Sequence, residues 1–263
     1  MGLWIAHHPT VQPDVTIFYI HGGGFVMGSS YLYLEFLMTW VSMLRDQGFQ
    51  NPAIFALNYT LVPDERYPFQ LHETLAGYNY VLSRAVDPHT IIVSGDSAGA
   101  LLTLSLLLHR GTKGRDERPA FAVLLSPWTN LVADNRNTES DFVDAMKLSE
   151  YGRLYAGSED PTDPLVSPGD CLDEALWAAS MPHRGIGIYL GSEEMLHVRI
   201  REFAKKLGSI GRVIVREDES LHVWPVAAMF LEDDQVKRQR GLRAITEDIE
   251  MVMMGEERSS VRA

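Results

Sequence analysis

The chain has 263 residues, 46% apolar and 22% charged, which is enough apolar material for one large core and argues against a disordered chain. With 23 basic residues against 35 acidic ones the net charge is −12, which argues against nucleic acid or an anionic membrane surface as a partner, since phosphate binding needs clustered Lys and Arg. The single cysteine, Cys171, excludes an internal disulfide and fits a reducing compartment.

Met1 to Pro13 has neither the basic start nor the apolar core of a signal peptide. The longest apolar run, Ala98 to Leu108, is too short to cross a bilayer, which takes about 20 residues. A soluble cytoplasmic protein without stable membrane insertion is expected.

Strands are expected at Val15–Ile20, Ala53–Tyr59, Thr90–Val93, Ala120–Leu125, Gly185–Leu190 and Gly211–Arg216. Helical patterns cover Leu32–Arg45, Phe69–Arg84, Ala98–Arg110 and Val198–Leu207, and the helix-like segment Pro225–Met254 follows the last strand as a charged outer helix. Strand and helix alternate, and the strands are almost continuously apolar. This predicts an α/β fold, with a mainly parallel sheet covered by helices on both faces. Residues Asn130 to Pro182 break the rhythm with helix-like pieces and Pro-rich turns but no clear strand. In a single domain spanning 1–263, they read as a lid-like insertion that could cover a site.

Directly after the first of these strands stands His21-Gly22-Gly23-Gly24-Phe25. Consecutive glycines let a backbone approach a ligand and aim its N–H groups at it, as acyl transfer requires for the negative oxygen that develops. A rival reading takes Gly22-x-Gly24-x-x-x-Gly28 as a dinucleotide-binding turn. That turn needs an acidic residue at the end of the next strand, and Ala53–Tyr59 ends in Asn58 and Tyr59 instead.

Gly95-Asp96-Ser97-Ala98-Gly99 lies between the run Thr90–Val93 and the helical run from Ala100. It reads as G-x-S-x-G at a strand-to-helix turn, a tight elbow that exposes Ser97 as a nucleophile. The N–H of Ala98 opens the helix and points at whatever the serine attacks. Metal and phosphate motifs are missing: there is no H-E-x-x-H, no C-x-x-C and no G-x-x-x-x-G-K, and His7 and His8 have no partner at ligand spacing. No cofactor and no metal are expected.

These two glycine motifs together resemble the hormone-sensitive-lipase-like branch of the α/β-hydrolases. Asn58-Tyr59-Thr60-Leu61-Val62-Pro63-Asp64, Ser126-Pro127-Trp128 and Asp163-Pro164-Leu165-Val166-Ser167-Pro168 extend the resemblance over nearly the whole chain. The resemblance implies a triad in the order Ser, acid, His. Its acid loop matches Gly191-Ser192-Glu193-Glu194-Met195-Leu196, which assigns the acid to Glu194 where the family usually has aspartate, with Glu193 the weaker candidate. His222, before Val223-Trp224, matches the family's histidine. The implied oxyanion hole is Gly23, Gly24 and Ala98, with Phe25, Trp128, Leu196 and Trp224 as pocket residues and His21 as a brace for the turn.

The implied activity is hydrolysis of small-molecule or short-acyl esters through an acyl-enzyme, in the manner of fungal steryl acetyl hydrolases. A thioesterase, an amide hydrolase or a non-hydrolytic member of the fold are the alternatives. Two features depart from the family. Only 20 residues precede His21, so the N-terminal cap is expected to be short or absent, and the pocket to be open or completed by the 130–182 insertion or by a homodimer partner. Asn130 replaces a frequent aspartate, which is expected to weaken one structural anchor.

Overall fold

The computed structural model describes residues 1–85, 87–113, 117–134 and 136–260. Seven strands form one sheet: β1 (Gly2–Ala6), β2 (Thr16–Ile20), β3 (Ala53–Leu57), β4 (Ile91–Asp96), β5 (Phe121–Leu125), β6 (Ile186–Gly191) and β7 (Val213–Asp218). Their spatial order is β1-β3-β2-β4-β5-β6-β7, with every neighbouring pair parallel except β1 on β3. The strands β2 to β6 are buried along their whole length, which is why they read as unbroken apolar runs.

Alternation along each strand divides the core into two layers. Phe18 and Ile20 of β2 pack on one side, and Ile17 and Tyr19 pack on the other. The first layer holds α2 (Phe69–Ala85), α3 (Ala98–Lys113), α5 (Glu174–Ser180) and α6 (His197–Gly208). The second holds α1 (Leu34–Asp46), α7 (Trp224–Leu231) and α8 (Gln235–Ser260). Helix α3 is buried almost all round, so it lacks a polar face and reads as a continuous apolar run.

Four features differ from the sequence expectation. Strand β1 is an addition: it is short, half-exposed and held to the sheet edge by Trp4 packing on Phe55 at 5.2 Å, so its alternation is too weak to read. The expected helix over Pro225–Met254 is two helices. Glu232 leaves α7 in an extended conformation, and the Asp234 carboxylate accepts from the Lys237 N–H at 3.0 Å at the start of α8.

The 130–182 insertion, of which position 135 lies outside the described residues, also divides in two. Its first part carries α4 (Ala145–Ala156) above the carboxyl ends of the strands, whereas α5 packs against α3 away from them. Asn130 is anchored after all. Its amide donates to Asp170 at 2.8 Å and accepts from the Thr129 hydroxyl at 2.8 Å. Ser167 donates to the same Asp170 and accepts from the Leu131 N–H. The carboxylate expected at position 130 is supplied by Asp170 from across the turn.

Candidate active site

The loops that leave the carboxyl ends of β2, β4, β6 and β7 converge at one end of the sheet, where open parallel sheets bind their ligands. The geometry begins at the elbow. Ser97 has φ +50°, a left-handed conformation that costs a side-chain-bearing residue about 1–3 kcal/mol. Its N–H donates to Leu125 O at 2.9 Å, and its carbonyl accepts from the Trp128 and Leu101 N–H groups. The flanking glycines are required by close approach. A Cβ on Gly95 would lie 2.5 Å from the Gly99 carbonyl carbon, and one on Gly99 would lie 2.6 Å from His21 O and closer still to Ile20 O.

The glycine turn after β2 is tied to this elbow through Asp96. One carboxylate oxygen accepts from the Tyr19 hydroxyl at 2.6 Å and from the Gly22 N–H at 2.9 Å, and the other accepts from the Tyr33 hydroxyl at 2.9 Å. Burial raises the Asp96 pKa, and these donors pull it back. Gly23 and Gly24 take φ +104° and +61°. Their N–H groups donate to nothing among the described residues, and both glycines line a cavity with Ser97. His21 stands behind the turn with its ring stacked on Tyr59 at 4.4 Å. Its Nδ1 lies 2.8 Å from the Gly22 carbonyl, so that nitrogen carries the proton, and burial lowers its pKa.

Glu194 is 2% exposed as a residue, and its carboxylate meets His222 Nδ1 at 2.6 Å. Its second oxygen accepts from the Gly191 N–H at 3.0 Å. Burial alone would lower the His222 pKa. The hydrogen bond and charge of Glu194, with the charges of Asp141 and Asp96 behind them, reverse that and raise it. Glu193, by contrast, is exposed, and its N–H donates to Ser220 O. Gly191 lets the two loops touch, since a Cβ there would lie 2.6 Å from Leu221 O and nearer still to Ser220 O. After His222, Val223 takes φ +50°, and its N–H donates to the Ser126 hydroxyl at 2.8 Å. A β-branched residue in that region is strained, so the bond from Ser126 helps hold the histidine loop in place.

Ser97, His222, Gly23 and Gly24 all face a cavity of about 390 Å³. Its other walls include Met27, Tyr33, Phe142, Val143, Leu148 and Tyr151, with Asp144 and Lys147 at the start of α4. The four residues expected to line it lie elsewhere. Phe25 stacks on Tyr155 at 3.8 Å, Trp128 and Leu196 are in the core, and Trp224 opens α7 beneath the Arg240 guanidinium. Aromatic character and closeness to a motif do not reveal which way a side chain points. The lining residues sit in loops and on α4, where the sequence has no periodic signal to single them out. A second crevice, of about 280 Å³, lies at the other end of β2 and β3 beside Trp4 and Arg84.

Comparison with known proteins identifies the family and the fold. A family model described as the alpha/beta hydrolase fold matches residues 17–226. The chain belongs to that family. It falls in the hormone-sensitive-lipase-like branch, and by family it is a serine hydrolase of the carboxylic-ester class. It is 30% identical over 232 residues to an acetyl-hydrolase of Streptomyces hygroscopicus, covering 84% of this chain and 71% of that protein. It is 24% identical over 242 residues to steryl acetyl hydrolase 1 of Saccharomyces cerevisiae, and there it spans 55% of the relative's length. Among solved structures, a hormone-sensitive lipase from a metagenome library superposes with a TM-score of 0.77 at 27% identity, over 95% of this chain and 80% of that one. A carboxyl esterase from Tuber melanosporum shares the fold, with a TM-score of 0.80 at 21% identity over 96% and 83% of the two chains. Among the described residues no cluster of three or more His, Cys, Asp or Glu side chains is placed to hold a metal ion, and no helix is long and apolar enough to cross a membrane.

Proposed function

We propose that this protein hydrolyses short-acyl esters of small apolar molecules through an acyl-enzyme on Ser97, with His222 as the base and Glu194 as its partner. The observation that carries this reading is the buried 2.6 Å contact between Glu194 and His222, in a cavity that His222 shares with Ser97. Glu194 accepts a hydrogen bond from Nδ1–H and so keeps the proton on that nitrogen, which leaves Nε2 as the base. His222 takes the Ser97 proton as the oxygen attacks the ester carbonyl, and it returns that proton to the leaving alcohol. Water then repeats the sequence on the acyl-enzyme, releasing the acid and restoring Ser97.

The N–H groups of Gly23, Gly24 and Ala98 stabilise the oxyanion, each worth about 10²–10³ in rate. The mainly apolar walls suit a hydrophobic body on one side of the ester, and the volume suits a small substrate. The acetyl-hydrolase names of its relatives support a short acyl group.

Turnover of p-nitrophenyl acetate, butyrate and octanoate by the wild type and Ser97→Ala tests the proposal. The wild type should prefer the short chains, the variant should be inactive, and a fluorophosphonate adduct should map to Ser97. Equal rates for the two proteins, or an adduct on another residue, would overturn the nucleophile assignment. Turnover of a thioester or anilide without ester turnover would favour the alternative chemistry on the same site.

A further inference from the structure

The segment from 137 to 144, which leads into α4, roofs the cavity and touches both of the loops that carry the histidine and its acid. The Thr138 hydroxyl donates to Glu193 O at 3.0 Å and accepts from the Asp141 N–H at 3.2 Å. One oxygen of the Asp141 carboxylate accepts from the Met195 N–H at 2.8 Å, one residue beyond Glu194. The other accepts from the His222 N–H at 3.3 Å. The next residue, Phe142, sets its ring edge-on to the His222 imidazole, with centroids 6.0 Å apart, and Phe142, Val143 and Asp144 line the cavity. Each end of this segment is secured. The Asn137 side chain accepts from the Ala145 N–H at 2.7 Å, and Asp144 caps α4 by accepting from the Lys147 N–H at 2.9 Å.

We propose that Asp141 is a positioning residue of the active site, a clasp whose single carboxylate joins the acid loop to the histidine loop and so makes the triad depend on the segment that roofs the substrate. The proposal rests on the catalytic reading of Ser97, Glu194 and His222 given above. A carboxylate suits this place for two reasons. It has two acceptor oxygens and no donor, so each oxygen serves its own backbone N–H, whereas an amide would set an NH₂ donor against one of them. It also brings a negative charge close to the imidazole, favouring the imidazolium that forms when Ser97 gives up its proton.

The other groups facing His222 are Glu194 from the acid loop and Asp96 from the end of β4, with Tyr33, Asp144 and Lys147 on the shared cavity wall. Of the three carboxylates that raise the His222 pKa (Glu194, Asp141 and Asp96), Asp141 is the one supplied by the roof. Because the two loops leave neighbouring strands and meet through backbone bonds of their own, losing the clasp should shift the imidazole without unfolding the sheet.

The test uses the full chain as wild type, Asp141→Asn, Asp141→Ala and Asp141→Glu, measuring kcat, KM and the pH dependence of kcat/KM on p-nitrophenyl butyrate, with Tm alongside. Asp141→Ala should lose about 10–100-fold in kcat, the penalty typical of a misplaced catalytic group, with a smaller change in KM. Asp141→Asn keeps the size and one acceptor, so it should retain more activity. In both variants the acid limb of kcat/KM should move to lower pH, because less negative charge surrounds the histidine. Asp141→Glu should restore the position of that limb. A limb that stays in place in the Asn and Ala variants would overturn the proposal, whether kcat falls or not, since a purely structural contact lowers amplitude and Tm alone. Ser97→Ala in the same assay separates the two levels: if it retains activity, the catalytic reading fails; if it is inactive while the Asp141 variants match the wild type, only the clasp fails.

Discussion

Replacing Glu194 with glutamine removes one charge and changes almost nothing in shape. The side chain is fully buried, with one oxygen 2.6 Å from His222 Nδ1 and the other 3.0 Å from the Gly191 N–H. The Gly191 donor dictates how the amide sits. Its carbonyl oxygen must face Gly191, so its NH₂ must face His222. Nδ1 then becomes an acceptor, and the imidazole proton moves to Nε2, the nitrogen that has to take the proton from Ser97. The imidazolium formed during attack also loses its counter-charge. A wrong tautomer in a serine triad lowers kcat by roughly 10⁴, or about 5.5 kcal/mol at 1.36 kcal/mol per tenfold. Both hydrogen bonds survive in altered form, so Tm should stay within about 4 °C, the shift for roughly 1 kcal/mol in a domain of this size. Initial rates on p-nitrophenyl butyrate and thermal denaturation read the two quantities separately. Glu193→Gln, changing an exposed residue, should stay within about twofold of wild type. A loss smaller than tenfold at Glu194, or a greater loss at Glu193, would refute the reasoning.

Two further outcomes follow from the same geometry. Gly99→Ala drives a methyl group against the Ile20 and His21 carbonyl oxygens, which are backbone and cannot swing away. It should cost more than about 3 kcal/mol, at the top of the usual overpacking range, and lower Tm by roughly 6–12 °C; unchanged stability with full activity would contradict the close packing of α3 on β2. The wild-type pH profile supplies the second. His222 must be neutral to act as a base, and its pKa is raised, so activity disappears as pH falls through that raised value. The acid limb of kcat/KM should have its midpoint above the ordinary histidine value of 6.5, and a midpoint at or below 6.5 would show that burial outweighs the carboxylates.

Much of the fold was legible because buried parallel strands and the apolar helix α3 carry unambiguous patterns. Strand β1 and the break between α7 and α8 were not, since five half-exposed residues and a three-residue interruption barely alter local periodicity. At the site, the tight elbow around Ser97 and the turn at Gly23 and Gly24 could be read as backbone features, because positive φ and close approach there demand glycine at particular places. Asp96, Tyr19 and Tyr33 form the buried network that ties the elbow to the glycine turn, and nothing in their spacing predicts that they meet. Phe25, Trp128, Leu196 and Trp224 were expected at the cavity on the strength of nearby motifs, and their side chains turn away from it into packed surroundings.

The sequence by itself determined the alternation of β2 to β7 with the helices between them, the elbow and the glycine turn, because each depends on residues close together in the chain whose steric needs are local. It proposed the triad partners through resemblance. Only the tertiary structure could decide which of two adjacent glutamates is buried against His222, which residues wall the cavity, and how Asp141 reaches two loops at once. Those are contacts between residues tens of positions apart. Their geometry is set by how the strands stack and where the insertion folds back, and no local pattern of polarity encodes it.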